Sequence, residues 1–394
     1  MAFKADSTVL HHTVYSTFRH LCVLLLSLWL LAACGDGDGS DTTVNNPAED
    51  TGQTEQRGRL KSAQKLMTHS RNELDFANGA FSQSQQQQLF QYDVDLYKLV
   101  YTTLDADEQL IDASGLLALP QRNPQLPAPL LSFQHGSLYY DAEAPSNDLS
   151  NSAPPLLFAT LGYITLAPDY VGYGTSLGAP HPYLLKTPSA AAVIDLLTAA
   201  QTWLANQHIA LNGQLFLTGY SQGGYVTMAA HQALQAMNNA ELQVSAAVPA
   251  AGPYDVGASL DAFINERGFR QADSGEAAQR SIAELIPGHI TPDDSDIIFD
   301  NRIFSAYISD GTRGVAAHNV YDWKALAPVR LFHGRDDETV PFINATRARD
   351  AMQARGSNDV QLIECNTEPA GHSECVVPYG LYVIDYLSGI AQGL

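Results

Sequence analysis

Hydrophobic and polar positions settle into a regular rhythm from about residue 92 onward. Val94 to Thr103 and Leu110 to Leu119 are strand-like runs, and the polar Asp105-Ala106-Asp107-Glu108 between them predicts an antiparallel hairpin. Pro124, Pro127 and Pro129 punctuate the approach to a third strand, Leu130 to Gln134. Short apolar runs at 163–167, 214–218, 244–249, 329–333 and 359–363 then alternate with helical stretches near 188–206, 224–238, 342–355 and 376–390. This alternation predicts an α/β fold, with a mostly parallel central sheet flanked by helices on both faces. Any chemistry should gather at the C-terminal ends of the strands.

Two stretches depart from the rhythm. Between Gly252 and about Leu326 the patterning is helical, as in Val256–Phe269 and Ala277–Leu285, with no run that fits the sheet. Structureless loops longer than about 15 residues are uncommon and tend to be lids, so the segment 252–326 is expected to be an inserted helical cap. Residues 59–91 are polar and include a low-complexity run from Ser82 to Gln88; they are expected to lie over the surface of the fold or to stay partly mobile. No internal repeat is evident.

Composition changes this picture chiefly at the N-terminus. With 394 residues, 45% of them hydrophobic, the chain can bury one large core or two smaller ones, and a single catalytic body at 59–394 fits best. Residues 1–33 stand apart: Lys4 and Arg19 flank a nearly continuous apolar stretch, Leu21 to Leu31, followed by the small pair Ala32-Ala33. That is the layout of a secretion signal, and the apolar stretch is about half the ~20 residues a membrane-spanning helix needs. Leu31-Ala32-Ala33-Cys34 resembles the lipobox of bacterial lipoproteins. The resemblance implies lipidation of Cys34 and a membrane anchor in the bacterial cell envelope; the aspartate at Asp36, not at position 35, leans toward the outer membrane. Residues 34–58 lack large apolar side chains apart from Val44, cannot build a core, and read as a tether.

Formal charge is −21, and removing residues 1–33 (Lys4, Arg19 and Asp6) makes it −22. Such a surface repels phosphate backbones, so nucleic acid is not expected as a partner. Cys22 leaves with the signal and Cys34 carries the implied lipid, which leaves Cys365 and Cys375 as a pair expected to form a disulfide in an oxidising compartment. Metal binding is disfavoured, because no second Cys/His pair with ligand spacing accompanies them.

Candidate chemistry concentrates in three places. Leu215-Phe-Leu-Thr-Gly219-Tyr-Ser221-Gln222-Gly223-Gly is an apolar run ending in Gly-x-Ser-x-Gly and opening into a helical segment. This is the context of a nucleophile elbow, in which Gly219 and Gly223 leave room for a tight turn presenting Ser221. The run Val329–His333 leads into His333-Gly334-Arg335-Asp336-Asp337-Glu338-Thr339-Val340-Pro341, where Asp337, with Asp336 as the alternative, can orient an imidazole. Gly371-His372-Ser373 follows, completing the order Ser, Asp, His. A serine hydroxyl is protonated at neutral pH and needs such a base to attack; His372 would take the proton, and Asp337 would hold the ring. The oxyanion needs two donors: the Gln222 N–H directly after the nucleophile, and an amide of His135-Gly136-Ser137, with Ser137 preferred over Gly136. Cys365 and Cys375 enclose His372, so their bridge would also hold the histidine loop.

Together these motifs resemble the α/β-hydrolase superfamily across about residues 92–394. Ala167-Pro168-Asp169-Tyr170-x-Gly172-x-Gly174 and His181-Pro182-Tyr183 look like its secretory lipase and esterase branch, which implies a lid over an acyl pocket. Asp169 and Tyr170 read more simply as turn and packing residues. The implied activity is hydrolysis of carboxylic esters, on small-molecule or lipid substrates, through an acyl-enzyme on Ser221 and with no metal or organic cofactor. A serine peptidase of the same fold is a second reading; it would need an acidic pair for the substrate amine, and none can be placed from sequence. A catalytically inactive surface binding lipoprotein is the third.

Overall fold

A computed structural model describes residues 56–75, 86, 88–266 and 292–394. The expected signal, Cys34 with its expected lipid, nearly all of the expected tether, most of the Ser82–Gln88 run and the stretch 277–285 expected to be helical lie outside the described residues. Nine strands among the described residues form one sheet in the order β1-β2-β3-β5-β4-β6-β7-β8-β9. They are β1 (Leu60–His69), β2 (Val94–Leu104), β3 (Leu110–Pro120), β4 (Ala128–Gln134), β5 (Ile164–Pro168), β6 (Leu211–Tyr220), β7 (Val244–Ala250), β8 (Val329–His333) and β9 (Val360–Glu364). The β1/β2, β2/β3 and β3/β5 pairs are antiparallel and all later pairs are parallel.

Helices cover both faces because the central strands are apolar on both. Along β6, Leu215 and Leu217 join one buried cluster and Phe216, pointing the other way, joins a second. The first cluster takes its helical side from α2 (Lys186–Asn206), α3 (Gln222–Met237) and α6 (Ile343–Ala354); the second from α1 (Pro154–Thr160) and α7 (Val376–Ser388). Each fully buried Leu or Phe contributes about 1.5–3 kcal/mol. The Ala- and Leu-rich sequence of α2 suits a buried helix, with Pro188 tolerated in its first turn. Its buried Asp195 accepts the Thr103 hydroxyl at 2.8 Å and pairs with Arg57 at 3.2 Å; burial nevertheless pushes this carboxyl up.

The expected surface segment 59–91 needs correction, because its first part is the edge strand β1. Register shifts at Leu60/Ser62 and Lys65/Met67 break its period-two alternation, and Lys61, Ser62 and Lys65 face solvent, so no apolar rhythm marks it. In the segment expected to be a cap, α4 covers Val256–Glu266, and the rest of the expected Val256–Phe269 helix lies outside the described residues. Further along, the stretch around Phe299 pairs with His181, which donates its N–H to Ile298 O and accepts from Asp300 N–H at 2.9 Å. It continues into α5 (Arg302–Gly314), broken at Asp310–Gly311.

Candidate active site

Strand β6 delivers Ser221 at its C-terminal end, at the entrance to α3. The serine backbone sits at φ 59° and ψ −123°, a conformation costly for a residue with a Cβ. Close packing imposes it. A methyl group on Gly223 would lie 2.0 Å from Gln134 O, and one on Gly219 would lie 2.5 Å from Gly223 O, so only glycines let β4, β6 and α3 approach this closely. The Ser221 N–H donates to Ala250 O at 2.9 Å, which fastens the turn to β7.

The residues singled out on the other loops converge on this serine. His372 Nε2 stands 2.9 Å from Ser221 Oγ, and His372 Nδ1 stands 2.7 Å from Asp337 Oδ2. Asp337 is completely buried at its side chain, whereas His372 retains 17% exposure. Burial pushes the Asp337 carboxyl up, but hydrogen bonds from His333 and His372 and from the Val340 amide, with the His372 charge, outweigh it and hold the group at about 2. The Thr339 and Val340 amides donate to Oδ1 at 3.0 and 2.8 Å. Asp336, the neighbouring alternative, turns away: its Oδ2 accepts the Ala370 N–H at 2.9 Å, and its own N–H donates to Ala370 O at 3.1 Å. It thus ties the aspartate loop to the chain just before His372.

The histidine loop has further restraints. Cys365 and Cys375 are joined in a disulfide, and the Tyr220 hydroxyl donates to His372 O at 2.7 Å. Tyr220, the residue before Ser221, therefore restrains the backbone at His372, a contact that no sequence motif announced.

Around the expected oxyanion positions, Gln222 opens α3, and the first amide of a helix has no carbonyl one turn earlier within it to bond. A methyl on Gly136 would lie 3.4 Å from Tyr220 O and 3.8 Å from Ser221 Cβ, which puts the 135–137 loop against the elbow. Ser137 directs its hydroxyl to Tyr183 OH at 3.4 Å. His135 bridges Gly136 O at 2.7 Å and Asp169 O at 3.2 Å, and burial depresses its pKa to about 4. Asp169 accepts the hydroxyls of Ser114 and Ser146, both at 2.6 Å, and Tyr170 donates its hydroxyl to His135 O at 3.2 Å, so both pack and brace this loop.

The side chain of Gln222 was not singled out in the sequence. It is buried, and its Nε2 lies 2.7 Å from His181 Nε2, whose other ring nitrogen lies 2.8 Å from Val171 O. Since the carbonyl can only accept, Nδ1 of His181 carries the proton and Nε2 accepts from the glutamine. Burial depresses His181 to about 3, keeping the ring neutral. Among the described residues no group of three or more His, Cys, Asp or Glu side chains is placed to hold a metal ion, and no helix is long and apolar enough to cross a membrane.

Residues 132–379 match the model of the alpha/beta hydrolase family. No curated protein matches the sequence at a significant level. Similar solved structures include the rice cell wall degrading esterase LipA from Xanthomonas oryzae, 24% identical with a TM-score of 0.66, over 85% of this chain and 100% of that one. A putative hydrolase from Legionella pneumophila is 25% identical with a TM-score of 0.64, over 84% of this chain and 98% of that one. Candida antarctica lipase A is 16% identical with a TM-score of 0.54, over 90% of this chain and 89% of that one.

Proposed function

The chain belongs to the alpha/beta hydrolase family, and from that premise we propose that it is a serine-dependent carboxylic ester hydrolase working through an acyl-enzyme on Ser221. The observation that carries this reading is the unbroken relay from Ser221 Oγ to His372 Nε2 at 2.9 Å and from His372 Nδ1 to Asp337 at 2.7 Å. In the acylation half, Ser221 Oγ attacks the ester carbonyl carbon and its proton passes to His372 Nε2. The tetrahedral oxyanion is met by the Gln222 amide and by an amide of Gly136 or Ser137. Collapse expels the alcohol, which leaves with the proton from His372. Water then repeats the sequence on the acyl-enzyme, releasing the acid and regenerating the serine. Asp337, held ionised at neutral pH, fixes the tautomer and stabilises the imidazolium. The similar structures described as esterase and lipase support an ester as the substrate.

Hydrolysis of p-nitrophenyl esters from acetate to palmitate, with Ser221→Ala as control, tests the reading. Turnover that disappears in the variant is expected, by about 10³-fold or more, and the chain-length optimum separates a short-acyl esterase from a lipase. Equal rates in both proteins would sink the assignment of Ser221. Inertness toward esters with Ser221-dependent cleavage of aminoacyl amides would move the protein to the peptidase reading.

A further inference from the structure

The relay accounts for only one of two imidazoles that meet the Asp337 carboxylate. His333, the last residue of β8 and wholly buried, brings Nε2 to 3.1 Å from Asp337 Oδ2, the same oxygen that faces His372. The same Nε2 lies 2.8 Å from Val340 O. Both neighbours are acceptors, so Nε2 carries a proton and its N–H is shared between them. Nδ1 of His333 is buried without a partner, so this ring makes its polar contacts only through the edge facing the carboxylate and Val340. Asp337 therefore has four donors: two backbone amides on Oδ1 and two imidazoles on Oδ2.

We propose that His333 is a positioning residue for the proposed hydrolytic site, which fixes the Asp337 carboxylate so that Oδ2 meets His372. The inference rests on the assignment of Ser221, His372 and Asp337 given above. The physical argument is geometric. The two amides on Oδ1 restrain one oxygen but leave the carboxylate plane able to tilt about it. A second donor on Oδ2 removes that freedom, and its bond to Val340 O ties the ring to the turn that supplies one of the amides. A charge-assisted bond in a dry site is also stronger than the same bond in water. His333 does not touch substrate; it acts through Asp337 alone.

A mutant cycle on the full-length protein tests this. His333→Leu is expected to lower kcat about 10- to 100-fold with KM changed less than about threefold. His333→Gln, whose amide can reach the same oxygen, should recover most of the loss. In an Asp337→Asn background, His333→Leu should add little, because the group through which it acts has been altered. Should His333→Leu fail to fold, His333→Asn, polar but too short to reach Oδ2, takes its place with the same expectations. Wild-type kcat in the Leu variant overturns the proposal, and so does a loss of equal size in both backgrounds, which is what a merely structural role would give. If Asp337→Asn itself retains wild-type turnover, the assignment of the site fails and this inference with it. Loss in Asp337→Asn beside an unaffected His333→Leu removes this inference alone.

Discussion

The two sides of the candidate site are held in place by different means. On the serine side, Ser221 is set by contact between β4, β6 and α3, where Gly219 and Gly223 leave no room for a side chain. On the histidine side, His372 rides on a loop between β9 and α7 that is held by a disulfide, by the Asp336–Ala370 hydrogen bonds and by the Tyr220 hydroxyl. Strand packing cannot be undone without unfolding the sheet, whereas a covalent tie and a few hydrogen bonds can be cut one at a time. The serine is thus expected to share the stability of the whole fold and the histidine to have a local stability of its own.

The largest effect should come from the serine side. Gly223→Ala would force a methyl to 2.0 Å from Gln134 O, a backbone atom that cannot yield without moving β4. Destabilisation of at least about 3 kcal/mol together with loss of activity is expected, read by urea unfolding and ester turnover. A variant with wild-type stability would show that the strands have slack and break the comparison. An intermediate effect should come from opening the Cys365–Cys375 bridge, by reductant or by a double Cys→Ser change. Removing it is expected to cost about 2–3 kcal/mol, and turnover should fall at reductant levels where circular dichroism still reports native secondary structure. If the reduced enzyme keeps its rate until it unfolds, the bridge stabilises the fold and does nothing for His372.

The smallest effect sharpens the contrast by pH. Burial holds His135 and His181 at about 4 and about 3, well below the ordinary 6.5. The unfolded chain therefore binds protons that the folded state refuses, and stability contributed by these residues falls as pH drops from about 6.5 through those values. Asp337, depressed from 3.8 to about 2, contributes stability above its unfolded value that is lost only at much lower pH. Asp169, whose carboxyl burial pushes up, works in the opposite sense. Between about pH 7 and about pH 6 the His135/His181 pair should cost on the order of 1 kcal/mol, so mild acid should loosen the 134–137 loop before the 365–375 loop. Hydrogen exchange on the two segments checks the order, and the reverse order would contradict it.

The same contrast explains what could be read from the chain beforehand. Strands β2 to β9 and the long helices announce themselves through runs of buried apolar residues, and the Ser221 elbow through glycines whose positions are set by steric need. Strand β1 was missed because its bulges and exposed lysines erase the period-two signal, and α1, a single short helix of seven residues, was too brief to show one. The exchange of β4 and β5 in the sheet order is a long-range choice with no local trace. Asp336 and Asp337 are chemically identical neighbours, and only the direction of the turn separates the one that meets His372 from the one that meets Ala370. The His333 and Tyr220 contacts, and the His181–Gln222 pair, depend on that same long-range geometry. Each of these residues reads in sequence as an ordinary member of a strand, loop or helix.

The ion pair at the start of the described chain has a mechanical consequence. Arg57 grips Asp195 with two guanidinium nitrogens, each at 3.2 Å, and Gly58 donates its N–H to Thr102 O at 2.9 Å before β1 begins. Tension arriving from the N-terminal direction therefore meets a two-pronged clasp on α2 before it can peel the edge strand. From there the strain spreads through a helix buried across most of its length, and the strands that carry the candidate site, several places along the sheet, are shielded from the tug of whatever precedes them.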